Sequence, residues 1–382
     1  MRVLLHPLNQ TPIKPVLPTF LRHLVQYDII RRILIYQGYT VEVFRYVDDT
    51  SLQVAKLMSI LKREKIPKEN ILLYLGRKYV KANQTIDNKE ARKIKILLER
   101  NHFARMYLLP ALKEEKKLLR KMGFFVGPIY WESSGLKRKK ELIEWLTKKK
   151  RLLSFEKYGG DTFLDYTDEG LKLMKLFDQD TFTFLFKILL FFYHKTSPKH
   201  LVIICYSEQE QALFANVEAF LKERDVKCLR FMIARVGIED KVLSSRYGGW
   251  EGYTIEKILE GLEEFSQKDI NLGLRLYFLS FRYQNRFNFE KQEFVRWVIF
   301  AKKVNNFLKT LDSQKEKLGK IKNPKTNELK KKLLDKKIVG NHGKLRDIFF
   351  LALKEAKQDY KKGSIDSILL KLILDLRQIF GG

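Results

Sequence analysis

One short segment combines residue types that are suited to binding phosphate groups. It contains two cations and two hydroxyl groups, at Lys241, Ser244, Ser245 and Arg246. Tyr247, Gly248 and Gly249 follow directly. Cationic side chains and backbone N–H groups in such a loop suit a polyphosphate. The same residues would also serve as an ordinary basic loop before a helix capped near Thr254, and both interpretations stay open here.

Two adjacent carboxylates, Asp48 and Asp49, follow a run of alternating apolar residues. Val41, Val43 and Val47 predict a buried strand that ends directly before them. At that position the carboxylates could supply negative charge to a cationic ligand, or they could cap the strand end. Both roles stay open.

The elements that position these residues predict a doubly wound, Rossmann-like parallel sheet. Apolar residues from Leu24 to Leu34 recur at three- and four-residue spacing, which predicts a helix that stops near Gly38. Apolar runs at 2–6, 41–47, 201–206 and about 228–236 predict strands that are adjacent in one sheet. The fold class is therefore α/β, with a mostly helical insertion followed by an all-α bundle.

The same pattern divides the chain into four parts. Residues 1–84 form the first half of a nucleotide-binding core, 85–160 the insertion, 161–265 the second half, and 266–382 a helical bundle. Within the bundle, the lysine-dense stretch near 312–341 contains Gly319, Pro324 and Gly340 and predicts a linker.

Composition indicates the class of partner. The chain has 382 residues and a formal net charge of +29, which favours nucleic acid, although a generally basic, lysine-rich proteome would give the same excess. Two cysteines are too few for a four-ligand zinc site, so neither zinc nor another protein-bound metal is expected. The apolar segment 182–194 contains Lys187 and is short for a membrane span. A strand almost at Met1 predicts no signal peptide, so we expect a cytoplasmic protein with no membrane partner.

Several short segments, taken in order, resemble class I aminoacyl-tRNA synthetases, most closely the arginyl type. The matching positions are Asn9 and Thr11, Leu21 and Arg22, Asp28 and Arg32, the run from Tyr46 to Asp49 with Gln53, Trp131 to Ser133, Thr181 to Leu185, Glu208 and Gln209, and Lys241 with Ser244 to Arg246. The resemblance implies ATP with Mg²⁺ as the cofactor and tRNA as the partner. It places Asn9, Thr11 and the 241–246 segment at the ATP, and Asp49, Phe184 and Gln209 at the amino-acid pocket. Part of the sequence also resembles cysteinyl-tRNA synthetases, but the zinc-binding cysteine and histidine positions of that family are absent from this chain.

The chain departs from the family at the His-x-Gly-His signature. Leu17, Pro18, Thr19 and Phe20 stand in its place. The family's imidazoles donate hydrogen bonds to the ATP phosphates, which leucine and phenylalanine cannot do, and proline also lacks a backbone N–H. His6 and His23 lie nearby in sequence and are the candidates for a substitute.

The amino-acid pocket also departs from the family. Phe184 replaces a tyrosine, and Lys187-Ile188 replaces an Arg-Asp pair. A guanidinium group needs a carboxylate with fork geometry, and isoleucine cannot provide one.

These features lead to a hypothesis with two alternatives. We expect a divergent arginyl-tRNA-synthetase-like protein, with monomer favoured, that binds tRNA or another RNA, with arginylation weak or absent. Candidate phosphate contacts are Arg282, Arg286, Lys302, Lys303 and Lys309. One alternative is an active ligase of the arginyl or cysteinyl type with an atypical ATP site. The other is an RNA-binding or protein-interaction module derived from a synthetase.

Overall fold

The computed structural model describes residues 2–6, 11, 13–61, 64–155, 160–177, 181–237, 250–314, 316 and 318–381. The strands in these ranges are β1 (Arg2–His6), β2 (Thr40–Val43), β3 (Arg45–Val47), β4 (Ile129–Trp131), β5 (Leu152–Phe155), β6 (Asp161–Leu164), β7 (Met174–Phe177), β8 (His200–Ser207), β9 (Lys227–Ile233), β10 (Val236–Gly237), β11 (Phe287–Asn288), β12 (Gly319–Lys320) and β13 (Ser364–Ile365). The helices are α1 (Pro18–Tyr36), α2 (Leu52–Leu61), α3 (Ile71–Thr85), α4 (Asn88–Asn101), α5 (Arg105–Lys121), α6 (Glu132–Gly135), α7 (Lys139–Lys148), α8 (Phe184–Lys195), α9 (Gln211–Glu223), α10 (Ile255–Leu259), α11 (Gln267–Leu279), α12 (Lys291–Gln314), α13 (Pro324–Leu334), α14 (His342–Lys361) and α15 (Ser367–Ile379).

A parallel sheet of four strands, in the order β2-β1-β8-β9, positions the site. Successive residues of β1 point to opposite faces: Val3 and Leu5 pack with α1, while Leu4 packs with α8 and α9. Helices therefore cover both faces, and the predicted α/β sheet with its four adjacent strands is confirmed.

The strand expected at 41–47 is divided at Phe44. β2 stays in the central sheet, whereas β3 pairs in parallel with β4. A side chain at Gly127 would collide with the carbonyl oxygen of Val43, and the Arg45 N–H donates instead to the Pro128 carbonyl at 2.8 Å. Because residues 127–131 pass so close to Val43, the chain after β2 leaves β1 and pairs with β4. As a result, the residues after β3 face a different part of the molecule from the end of β2.

Helices dominate the region between the two halves of the sheet. α2 to α5 pack around their own apolar cluster, which includes Val54, Leu75, Leu98 and Leu108. β5, β6 and β7 then form a small antiparallel sheet. This region supplies one wall of the pocket described below.

The C-terminal helices pack directly on the α1 side of the sheet. One apolar cluster includes Ile30 of α1, Leu276 of α11 and Ile373 of α15. α11 and α12 approach closely at Gly273, where an added Cβ would lie 2.7 Å from the Cα of Val298. The hydrophobic core is thus continuous across the boundary expected near residue 266.

The lysine-dense stretch near 312–341 is more ordered than the linker that its composition predicted. It contains α13, in which Leu329 and Leu333 are buried in the large cluster. The lysines occupy the other faces of that helix. Composition alone therefore does not reveal the narrow apolar stripe that Leu329 and Leu333 form. Within the described ranges, no helix has the length and hydropathy of a membrane span.

Candidate functional site

A polar pocket of about 610 Å³ lies where several parallel strands end. Its lining residues come from the segments after β1, β3, β4 and β8, and from α2, α3, α4 and α8. They include Thr11, Lys14, Asp48, Ser51, Gln53, Lys56, Lys95, Glu132, Phe184, Lys187 and Glu210. Ligands of open parallel sheets bind at this edge, beyond the carboxyl ends of the strands. The pocket is therefore the leading candidate for a ligand site.

Lys187 of α8 and Glu132 are buried residues that line the pocket, and we call this buried part of the lining the pocket floor. The Nζ of Lys187 lies 3.0 Å from Oε1 of Glu99, 2.6 Å from Oγ1 of Thr50 and 3.4 Å from Oε2 of Glu132. The Lys187 side chain is only 2% exposed. An ammonium group has three N–H donors, and here all three have acceptors within the protein. Lys187 thus joins α8, α4 and the segments that follow β3 and β4.

Glu132 is buried and serves three donors. It accepts hydrogen bonds from the Tyr46 hydroxyl at 3.0 Å and the Thr50 hydroxyl at 2.5 Å, besides its contact with Lys187. Burial raises the pKa of Glu132 to about 8, against the opposing attraction of Lys187. Burial alone would lower the pKa of Lys187, but the attraction of Glu132 and Glu99 outweighs it and the pKa is raised. Lys187 is therefore the fixed positive charge of the floor.

The two adjacent aspartates have different surroundings. Asp48 lines the pocket and accepts hydrogen bonds from the Thr11 hydroxyl at 3.2 Å and the Ser51 N–H at 2.8 Å. Asp49 faces away and is fully buried, with Nε of Arg105 at 3.0 Å and the Ser133 N–H at 2.9 Å. Asp49 thus fixes the start of α6 and is not among the residues that line the pocket. Asp48 is the carboxylate closer to a ligand.

The first turn of α1 presents few groups to a phosphate. Leu17 is the N-cap without a side-chain hydrogen bond, and Pro18 occupies the first turn. The Thr19 hydroxyl donates to the Val236 carbonyl at 3.1 Å, and Phe20 packs against the core. The described residues of this turn therefore do not fit a polyphosphate.

Neither nearby histidine compensates for this loss. His6 is 1% exposed and lies among the rings of Tyr46, Phe191, Phe192 and Phe214. Burial lowers the pKa of His6 to about 3. The pKa of His23 is also lowered to about 3, by burial first and then by Arg22 and Arg235. Both imidazoles are therefore neutral and enclosed at physiological pH.

The structure separates the other predicted site residues. Phe184 lines the pocket at the start of α8. Gln209 is exposed outside it and accepts a hydrogen bond from Arg235. Asn9, Lys241, Ser244, Ser245 and Arg246 lie outside the described residues, so their roles at ATP stay predictions. Glu99, by contrast, belongs to the site although no motif marked it, because its place on α4 carries no signal in the sequence.

The predicted RNA contacts lie on α12 and on the segment before it. Arg282, Lys303 and Lys309 are exposed. Arg286 is exposed but paired with Glu208, with its Nε at 3.0 Å from Oε1. The Nζ of Lys302 lies 5.1 Å from the centre of the Phe265 ring. Three of the five candidates thus extend into solvent, and the other two have contacts within the protein.

Comparison with known proteins identifies the relatives of this chain. No family model matches it. It is 31% identical to the arginine–tRNA ligase of Pyrococcus furiosus over 153 residues, which cover 35% of this chain and 24% of the relative. It is 25% identical to the arginine–tRNA ligase of Methanocaldococcus jannaschii over 338 residues, which cover 76% of this chain and 58% of the relative. The matches thus span less than two thirds of each curated relative.

Solved structures share the whole architecture. Thermus thermophilus arginyl-tRNA synthetase is similar with a TM-score of 0.66 at 17% identity, over 99% of this chain and 74% of that one. The Plasmodium falciparum enzyme gives a TM-score of 0.73 at 14% identity, over 100% of this chain and 76% of that one. At such identities the likeness establishes the fold. The chain thus has the fold of these arginyl-tRNA synthetases and is similar in sequence to two curated arginine–tRNA ligases.

Proposed function

We propose that this protein binds tRNA or a related RNA through its basic surfaces and that it arginylates tRNA weakly or not at all. The observation that carries the second part is the first turn of α1. The side chains of Leu17 and Phe20 offer no hydrogen-bond donor, and the Thr19 hydroxyl is already bound to Val236. Loss of one preorganised donor typically lowers turnover roughly a hundred- to a thousand-fold. The enclosed His6 and His23 do not restore such a donor.

Net charge and its distribution support the RNA part. The chain carries a net charge of +29, and α5 shows how part of it reaches the surface. Both acidic residues of α5 face inward: Glu115 pairs with Arg45, and Glu114 accepts the Ile71 N–H at 2.8 Å. The outward face carries five exposed cations, Lys113, Lys116, Lys117, Arg120 and Lys121, which we call the α5 basic face. No ion pair is found for any of the five among the described residues.

An unpaired basic helix face is suited to a phosphate backbone. Each phosphate that a lysine or arginine neutralises releases condensed counterions, so affinity falls as salt rises. The predicted contacts Arg282, Lys303 and Lys309 would act in the same way from the C-terminal helices. tRNA presents enough phosphates to reach more than one such surface, and we propose that it is the native partner.

A charge-matched comparison tests RNA binding. The variant K113Q/K117Q/R120Q removes three charges from the α5 basic face, and K330Q/K331Q/K332Q removes three from α13. Filter binding with total tRNA should show a larger loss of affinity for the first variant. Equal losses would mean that net charge alone drives the association, and no binding by the unmodified protein at low salt would overturn the proposal.

Pyrophosphate exchange tests the catalytic part separately. The protein is incubated with ATP, Mg²⁺ and each amino acid in turn, with and without tRNA. We expect exchange with arginine to be absent or far below that of an ordinary arginyl enzyme measured beside it. Exchange near the ordinary rate would favour the second candidate, an active ligase with an atypical ATP site, for which the well-formed polar pocket is the supporting observation.

A further inference from the structure

The pocket floor holds a positive charge that belongs to the protein itself. Glu99 and Glu132 come from elements more than 30 residues apart, yet both carboxylates converge on Nζ of Lys187, at 3.0 and 3.4 Å. Thr50 adds a third acceptor at 2.6 Å. Two carboxyl groups and a hydroxyl around one point provide the oxygen acceptors that an ammonium or guanidinium group requires. Ile188 stands where the family has an aspartate. Glu99 and Glu132 provide carboxyl groups here instead, but both already bind Lys187.

We propose that Lys187 is an internal occupant of a cation subsite, and that its ammonium group holds the place where the cationic end of a ligand would bind. This inference rests on the proposed loss of arginylation at the same pocket. The subsite opens toward the ligand space, because Lys187 and Glu132 both line the pocket. While Lys187 is in place, a second cation would meet its charge at short range and find no unpaired carboxylate at that point.

The other described acids of the pocket do not provide a substitute. Asp48 accepts hydrogen bonds from Thr11, Thr50 and Ser51. Glu210 accepts from both the N–H and the hydroxyl of Ser207, in the capping box that begins the turn after β8. Lys56 and Lys95 add positive charge to the lining. The native pocket therefore disfavours arginine and lysine, whereas removal of the Lys187 ammonium group should create a site for small organic cations.

Two substitutions at Lys187 separate the effect of removing its charge from the effect of making room for a ligand. K187A removes the ammonium group and leaves room for a ligand, while K187M removes the charge but fills most of the same volume. Thermal unfolding of each variant and of the unmodified protein is followed in increasing ethylammonium chloride, with sodium chloride as the ionic-strength control. A ligand that binds only the folded state raises the melting temperature with the logarithm of its concentration above the dissociation constant.

We expect saturable binding of ethylammonium to K187A alone. Its melting temperature should lie below that of the unmodified protein without ligand, because the buried contacts of Lys187 with Glu99 and Glu132 are lost. It should rise with ethylammonium but not with sodium chloride. Isothermal titration should then detect arginine binding to K187A and none to the unmodified protein. Equal stabilisation of all three proteins, or no response of folded K187A, would overturn the inference.

A second variant keeps the test decisive if K187A does not fold. K187A/E132Q carries one fewer buried carboxyl group and still presents Glu99, the nearer partner, so it should also respond to ethylammonium. K187A/E99Q should respond much less. Absence of any difference between these two variants would argue against the subsite. None of these measurements uses RNA or pyrophosphate exchange, so a failure here is distinguishable from a failure of the proposed function.

Discussion

Asp28 of α1 and Arg275 of α11 form a buried ion pair, with 2.7 Å between Oδ2 and Nη2. Both side chains are at most 1% exposed. The remaining guanidinium donors of Arg275 bind the carbonyl oxygens of Met122, Gly123 and Asn271. The pair therefore fastens the C-terminal helices to the first helix of the sheet domain and to the end of α5.

Substitution of Asp28 should loosen that attachment. D28N leaves the Arg275 charge buried without its carboxylate, and removal of one partner of a buried pair typically costs about 3–5 kcal/mol. Urea unfolding followed by circular dichroism measures the change. E260Q is the control, since the Lys257–Glu260 pair is mostly exposed and its loss should have little effect. Similar midpoints for D28N and the unmodified protein would contradict this role.

His6 should make the protein sensitive to acid. Its folded-state pKa of about 3 lies below the ordinary value of 6.5, because burial among aromatic rings disfavours the imidazolium. The unfolded chain therefore binds a proton that the folded chain does not, and stability falls as pH drops from about 6.5 toward 3. H6F keeps an aromatic ring without a titrating group. Its unfolding free energy should fall less over this range.

The His6 test needs a reference, because other groups also titrate in acid. The H6F curve is therefore compared with that of the unmodified protein between pH 6.5 and 4, where it should be flatter. An H6F curve parallel to that of the unmodified protein would rule out this source of acid sensitivity.

The sequence predicts the sheet well and the pocket poorly, for physical reasons. Strands such as β1 and β8 are buried on both faces, so their local apolar runs reveal them. The contact of Lys187 with Glu99 joins residues 88 positions apart along the chain, and it depends on how α4 packs beside α8. No local pattern marks Glu99, and the family position of Lys187 does not reveal which acid it contacts. The same limit explains why adjacent Asp48 and Asp49 gave no hint that only Asp48 lines the pocket.

Glu132 should give the opposite pH dependence to that of His6. Its folded-state pKa of about 8 lies above the ordinary value of 4.5, so the folded protein retains a proton that the unfolded chain has released. Stability should therefore fall as pH rises from about 4.5 to about 8. E132Q cannot titrate; its amide oxygen can accept the hydrogen bond from Thr50, while its amide nitrogen can donate to the Tyr46 hydroxyl.

The difference in unfolding free energy between E132Q and the unmodified protein, measured from pH 5 to 8.5, isolates the Glu132 contribution. It should shift in favour of E132Q as pH rises. E141Q, at an exposed pair with Arg138, should show no such trend. A constant difference for E132Q across the range would mean that Glu132 titrates normally in the folded protein.

The salt dependence of RNA binding should distinguish predicted RNA contacts that are free in solvent from those that already have a partner within the protein. Lys303 and Lys309 are exposed cations about 1.7 turns apart on α12. The Arg286 guanidinium, by contrast, already binds Glu208 through two hydrogen bonds. A phosphate would have to compete with that carboxylate, so Arg286 should release fewer counterions on binding RNA.

We therefore expect K303Q/K309Q to reduce the slope of log K against log salt by up to about 0.9 per lost contact. R286Q should change the slope less than either lysine substitution made singly. Filter binding of tRNA at several salt concentrations gives these slopes directly. A larger change for R286Q than for K303Q or K309Q would show that the Glu208 pair opens on RNA binding and that the ranking by present partners is wrong.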